Sequence, residues 1–198
     1  ELHKKKMNRI GSVLVKTEEF VKFEDFMREV FRGIYEQKTV ISVQELTEEI
    51  GKRMKKGVLR ACYEKKVPVY SPGIADSMAG LQLFFFNQNM KAMNKPRLVL
   101  DITADFEGLN NLVMDSKKVG AVILGGGVPK HFAMGCTLLR GGLDYALQIT
   151  MDREETGSLS GAKLEEGISW GKVKEKANHV TVIGDAIMLF PIIVSRML

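Results

Sequence analysis

Cysteine is scarce in this sequence: Cys62 and Cys136 are the only two in 198 residues, both in apolar-rich segments and with no CxxC pair. That disfavours a disulfide framework and a thiolate metal site, and it points to a reducing compartment, the cytosol. Long apolar runs are missing too: nowhere do about 18 apolar residues follow one another, the length a membrane-spanning helix requires. The opening residues, Glu1-Leu-His-Lys-Lys-Lys6, lack the apolar core of a signal peptide. His3 and His179 have no partner at ligand spacing, so no metal site is expected. There is no linker, low-complexity tract or internal repeat. The chain opens on Glu1 rather than methionine, which reads as a processed, trimmed or partial chain.

What is present is ordinary in proportion. Apolar residues at 45% and charged residues at 27% are those of a folded globular chain, which excludes a disordered or fibrous one. The length supports one domain over residues 1–198. The net charge of +5 comes from lysines spread over Lys4–Lys6, Lys52–Lys56, Lys65–Lys66, Lys117–Lys118 and Lys172–Lys176. They are interleaved with acids and have few aromatic neighbours. This is a solvated surface, with neither nucleic acid nor membrane expected as a partner.

Hydrophobic period supplies the architecture. Phe23, Phe26, Met27, Val30, Phe31 and Ile34 follow the i, i+3, i+4, i+7 rule, which predicts an amphipathic helix over 22–36. Ser42 and Glu45 have capping-box spacing at the start of a second helix, with Gly51 as a plausible stop. Apolar runs rich in β-branched residues then predict strands at Val67–Tyr70, Leu98–Ile102, Ala121–Leu124, Tyr145–Thr150 and Val180–Ile183. Helices are expected at 76–90, 103–117, 129–140, 164–177 and 187–197. Strands apolar at every position, alternating with helices, imply a doubly wound α/β fold with a mainly parallel sheet. Ligands of such sheets bind beyond the carboxyl ends of the strands. Here those ends are followed by Ser71-Pro-Gly with Asp76, by Asp101, by Gly125-Gly-Gly127, by a polar stretch through Ser158 and Ser160, and by Gly184-Asp-Ala186.

The triple glycine ahead of a helix lets backbone approach a ligand and aims N–H groups at an anion, though a tight strand-to-helix turn explains it equally well. Asp76 and Asp185 suit a ribose hydroxyl or, more plainly, a helix cap. Residues 151–164 form a long loop, a length usual for functional loops. Lys172, two residues after the only tryptophan, Trp170, suits an imine-forming nucleophile if desolvated, and otherwise a surface charge. Glu166 lies six positions before Lys172 and on one regular helix would not face it, so it has to reach in from the helix start. His131 opens the helix after the glycines, where an imidazole suits proton transfer or a purely structural role.

Taken together, Leu124-Gly-Gly-Gly-Val-Pro-Lys-His131, Gly157-Ser-Leu-Ser-Gly-Ala162 and Ser169-Trp-Gly-Lys172 resemble the deoxyhypusine synthase family. Asn8-Arg-Ile-Gly11, Phe23-Glu-Asp25, Ser71-Pro72 with Asp76, Leu98-Val-Leu-Asp101 and Gly184-Asp-Ala186 support it in order along the chain. The resemblance implies a Rossmann-like NAD-binding α/β fold, commonly a homotetramer, in the cytoplasm. It implies that NAD takes a hydride from spermidine, and that the aminobutyl group is held as an imine on a lysine and then passed to one lysine of a hypusine-bearing translation factor. By position, Lys172 matches the imine-forming lysine, His131 the proton-handling histidine, and Glu166 and Trp170 the polyamine site. Asp76, Gly126, Gly157, Ser158, Ser160, Asp185 and Ala186 match positions lining the cofactor and substrate sites, Gly157 and Ser158 serving both.

Three positions depart from the family pattern. Leu81 and Leu159 stand where acids are usual, and Gly135 replaces an asparagine. Each removes a polar group from the polyamine site, which keeps homospermidine synthesis and a non-catalytic regulatory paralogue as alternatives. The family segment that ordinarily precedes Asn8 is also absent, so the sequence corresponds to the C-terminal two-thirds. Assembly with a separate N-terminal fragment or a paralogue is one expectation, and no turnover by this chain alone is another.

Overall fold

The computed structural model describes residues 1–197, which divide into two units, Glu1–Ile102 and the residues from Thr103 onward. In the first, strands β1 (Met7–Ile10) and β2 (Val13–Lys16) form an antiparallel hairpin around Gly11, whose φ of 58° suits a residue without Cβ. Helix α1 (Thr17–Tyr35) buries Met27, Val30, Phe31 and Ile34, the stripe its period predicts, though it starts earlier than expected. Strand β3 (Val40–Ser42), too short to stand out in sequence, pairs in parallel with β4 (Val99–Asp101). Between them come α2 (Val43–Arg53), α3 (Val58–Lys65) and α4 (Met78–Ala92). Met27, Phe31, Leu46, Phe86 and Leu98 form the core.

The capping box is present as predicted: Glu45 N–H donates to Ser42 Oγ at 3.0 Å, and Ser42 N–H donates to Glu45 Oε2 at 2.8 Å. Ser42→Ala should cost about 1 kcal/mol, seen as a lower thermal midpoint; an unchanged midpoint would deny the cap any role. Two local expectations fail here. Gly51 does not stop α2; a Cβ there would lie 2.4 Å from the Leu59 carbonyl oxygen, so glycine serves the close approach of α2 and α3. The strand expected at Val67–Tyr70 forms no ladder. Pro68 brings no N–H, and the Val69 carbonyl accepts instead from Thr47 Oγ1 at 2.7 Å.

The second unit holds a parallel three-stranded sheet, β5 (Gly120–Leu124), β6 (Leu143–Thr150) and β7 (Val173–Ile183), with β6 in the middle. Around it are α5 (Ile102–Met114), α6 (Val128–Gly135), the single turn α7 (Glu166–Ser169) and α8 (Ala186–Ser195). The helix expected over 164–177 is the main correction, because it stops at Ser169 and β7 begins at Val173. Gly171, at φ 69°, reverses the chain between them. The charged residues Lys174, Glu175 and Lys176 read as a helix surface but occupy an outer strand of this sheet, where charge is tolerated. Likewise α6 ends at Gly135 rather than 140. The class is α/β with mainly parallel sheets, Rossmann-like, as predicted. Among the described residues, no helix is long and apolar enough to cross a membrane.

Candidate active site

Register brings the strand ends of the second unit together: Leu124 lies opposite Ile149, and Thr150 opposite Ile183. The segments that follow therefore stand side by side around a groove of about 640 Å³ lined by Gly125, Thr150, Gly184, Asp185 and Ala186. Gly125 and Gly127 take φ near 80°, a conformation costly for residues with a Cβ. Gly126 meets the serine loop directly, since a Cβ on it would lie 2.5 Å from Ser160 Cα. The glycine turn and the Gly157–Ala162 loop thus pack directly against each other.

Asp152 organises that loop and is absent from the sequence-based candidates. Its carboxylate accepts from the Ser158 hydroxyl and, at 2.6 Å, from Ser160 Oγ. These bonds, with Ser158 first, hold its carboxyl well below the usual carboxylate range. A carboxylate so lowered stabilises the fold above its unfolded value, about 3.9. That stability is lost as pH falls further toward the folded value. Proteolysis of the 151–164 loop should therefore accelerate below about pH 4, and Asp152→Asn should flatten that acid dependence; an unchanged profile would sink the assignment. A carboxylate two residues past a strand end, ahead of Ser-x-Ser, is the signal by which the sequence could have shown it.

The second concavity is a cleft of about 200 Å³ whose lining includes Lys130, His131, Leu159, Glu166, Trp170 and Lys172. Lys172 is half-buried, its Nζ 3.5 Å from His131 Nδ1 and 5.6 Å from the Trp170 ring centroid, within cation–π range. Its backbone is fixed: Lys172 N–H donates to the Gly167 carbonyl, while its own carbonyl accepts from Leu143 N–H and Thr137 Oγ1. Because α7 ends before Lys172, Glu166 and Lys172 come from a helical turn and a strand start. The six-residue separation that a continuous helix would make unfavourable is therefore no obstacle. Trp170 is 65% exposed, so it is no core residue and is free to present its ring.

Lys130 is a second residue that sequence reading missed. Only 8% exposed, its ammonium donates to Gln148 Oε1 and the Leu159 carbonyl, each at 3.1 Å, and to the Ala162 carbonyl. Burial pulls its pKa down; the Glu166 charge opposes this and Lys172 adds to it.

Other candidates are placed less centrally. Asp185 caps α8, its Oδ1 accepting from Ile187 and Met188 N–H at 2.7 and 3.3 Å. Asp76, exposed, ends a 3-10 turn of the first unit, and Leu81, also exposed, lies on α4 of the same unit, whereas the lysine cleft is built from second-unit residues alone. Gly135 has nothing within 4 Å of where a Cβ would sit, so packing does not require glycine there. A hollow of about 570 Å³ in the first unit, beside Gln44, Thr47, Cys62 and Tyr63, contains none of the candidate residues. Cys136 is buried, and burial pushes its thiol up, away from reactivity. Among the described residues no three His, Cys, Asp or Glu side chains gather as a metal site requires.

Fold and site together define a Rossmann-like α/β protein with a lysine cleft beside the ligand crevice of its parallel sheet. The deoxyhypusine synthase family model matches residues 1–197, and the chain belongs to that family. A protein named as a deoxyhypusine synthase from Methanopyrus kandleri is 50% identical over 187 residues, 94% of this chain and 60% of its own length. Another so named, from Methanothermobacter thermautotrophicus, is 47% identical over 98% of this chain and 62% of its own length. The chain thus spans about three-fifths of these relatives. A crystal structure named as a deoxyhypusine synthase from Entamoeba histolytica matches with TM-score 0.69 at 24% identity, over 90% of this chain and 55% of that one, and supports the fold.

Proposed function

We propose that this chain carries the lysine-bearing part of a deoxyhypusine synthase, an NAD-dependent transferase that moves the aminobutyl group of spermidine to a lysine of the hypusine-bearing translation factor. The observation that carries the reading is Lys172 Nζ beside His131 Nδ1 and the Trp170 ring, in a cleft that Glu166 also lines. NAD, when bound, supplies a hydride acceptor for the first half of the reaction and a hydride donor for the second. The residues present suit it: positive-φ glycines, a Gly126 with no room for a side chain, and a groove across the ends of parallel strands. Gly126, Gly157, Ser158, Ser160, Asp185 and Ala186 would hold it, with Asp76 as a further contact of the whole protein.

Lys172 Nζ adds to the oxidised donor carbon, the carbon–nitrogen bond to the propylamine part breaks, and that amine leaves with a proton. The butyl unit stays as an imine on Lys172 until the acceptor lysine displaces it. His131 moves the proton at Lys172 Nζ. Glu166 and the Trp170 face receive the cationic end of the amine, with Gly157 and Ser158 beside them. The reading includes a cytoplasmic homotetramer, or assembly with an N-terminal piece or paralogue. One observation favours homospermidine synthesis as a second reading: Leu159 lines the cleft without charge, leaving Glu166 as the carboxylate among its lining residues.

Borohydride reduction of the full-length protein with NAD and spermidine should leave an aminobutyl adduct on Lys172, located by peptide mass. No adduct would overturn the proposal. Putrescine and the translation factor offered together separate the two readings by which becomes alkylated.

A further inference from the structure

Two buried polar side chains outside the reaction chemistry converge on the same loop. Gln148, fully buried on the central strand β6, accepts from Lys130 Nζ through Oε1, and its Nε2 donates to the Gly125 carbonyl at 3.3 Å and the Ser160 carbonyl at 3.0 Å. Lys130, on the first turn of α6, spends its other two N–H groups on the Leu159 and Ala162 carbonyls. One lysine and one glutamine thus satisfy four backbone carbonyls, three in the serine loop and one in the glycine turn. Those carbonyls belong to no ladder, and a buried carbonyl without a donor costs about 1–3 kcal/mol. A buried ammonium is itself costly unless fully hydrogen-bonded, and here three acceptors match three N–H groups. A methionine would fill the same space without that cost but would leave the carbonyls unpaired. The close approach of Gly126 to Ser160 lies between the points this pair ties down.

We infer that Lys130 is a positioning residue which, through Gln148, staples the Gly157–Ala162 loop to the glycine turn and so fixes, before any ligand arrives, how the lysine cleft lined by Leu159 and Ala162 stands against the groove lined by Gly125. A preformed crevice spares a ligand the cost of ordering the loop. The consequence for NAD rests on the function proposed above; the staple itself does not.

The test is hydrogen exchange on the ligand-free full-length protein with Lys130→Met and with Gln148→Glu, followed by NAD titration. In Lys130→Met, amides of 157–162 should exchange about tenfold faster or more, the equivalent of one lost charged hydrogen bond, while amides of β5 and β6 keep their rates. The dissociation constant for NAD should rise by a similar factor, about tenfold. A residue that merely supported the fold would speed strand and loop amides alike. Gln148→Glu keeps an acceptor for Lys130 but loses both donated bonds, so its exchange should rise next to Gly125 and Ser160 alone. It decides the matter if Lys130→Met unfolds. Loop exchange equal to wild type in the folded variant overturns the staple. A wild-type protein that ignores NAD overturns the function reading and leaves the exchange result to judge the staple.

Discussion

Lys172→Ala should lower turnover by on the order of 10⁴-fold or more, the scale on which a covalent catalyst is lost. No reducible adduct should form elsewhere in the cleft. The other lysines lining it are already engaged: Lys130 donates to Gln148 and two carbonyls, and Lys163 is ion-paired with Glu154 at 2.7 Å. Neither offers a free amine beside His131. Lys172→Arg should be as inactive, since a guanidinium keeps the charge but does not give up its proton to become a nucleophile. Thermal midpoints should barely move in either variant, because the backbone bonds that fix position 172 do not involve its side chain. An adduct on Lys130 or Lys163 in Lys172→Ala would refute the assignment.

A large effect on stability is expected at Gly142→Ala. Gly142 has φ 97°, and a Cβ there would lie 2.8 Å from both Lys172 C and Val173 N. The left-handed conformation costs a non-glycine residue about 1–2 kcal/mol, and forcing a carbon into packed backbone costs about 1–3 kcal/mol more. The clash falls on the backbone of Lys172 where β7 begins, so relief would displace Lys172. Displacement of a reacting group by about 1 Å costs about 10²-fold in rate. Both a lower melting temperature and a lower yield of trapped adduct are therefore expected. Gly135→Ala is the control: its Cβ would meet open space, and alanine favours the helix by up to about 1 kcal/mol. Equal midpoints for the two variants would show that the close approach at Gly142 is not the cause.

Local rules were legible wherever the deciding partners are near in sequence. The stripe of α1, the Ser42–Glu45 capping box and the glycine turn each depend on residues within about two helical turns. Asp185 was readable as a helix cap for the same reason, and it is one. The family resemblance named His131, Glu166, Trp170 and Lys172 as candidates, and the structure gathers all four in one cleft.

What stayed out of reach depends on partners far apart in the chain. Residues 174–177 are polar enough to read as a helix, yet they lie within β7, where the register against β6 shifts between the pairs Leu143–Val173 and Tyr145–Asn178. Lys130 is an ordinary lysine by sequence; its burial comes from Gln148, 18 positions on, and from a loop later still. Asp152 matters through the two hydroxyls that fold back on it. His131 meets Lys172 across 41 positions. The sequence by itself determined the α/β class and the glycine and serine segments at the strand ends, and it singled out Lys172 as a candidate. The tertiary structure alone decided which charges are buried and which groups touch, because desolvation and hydrogen bonding depend on distance in space, and parallel strands bring together ends that the chain keeps far apart.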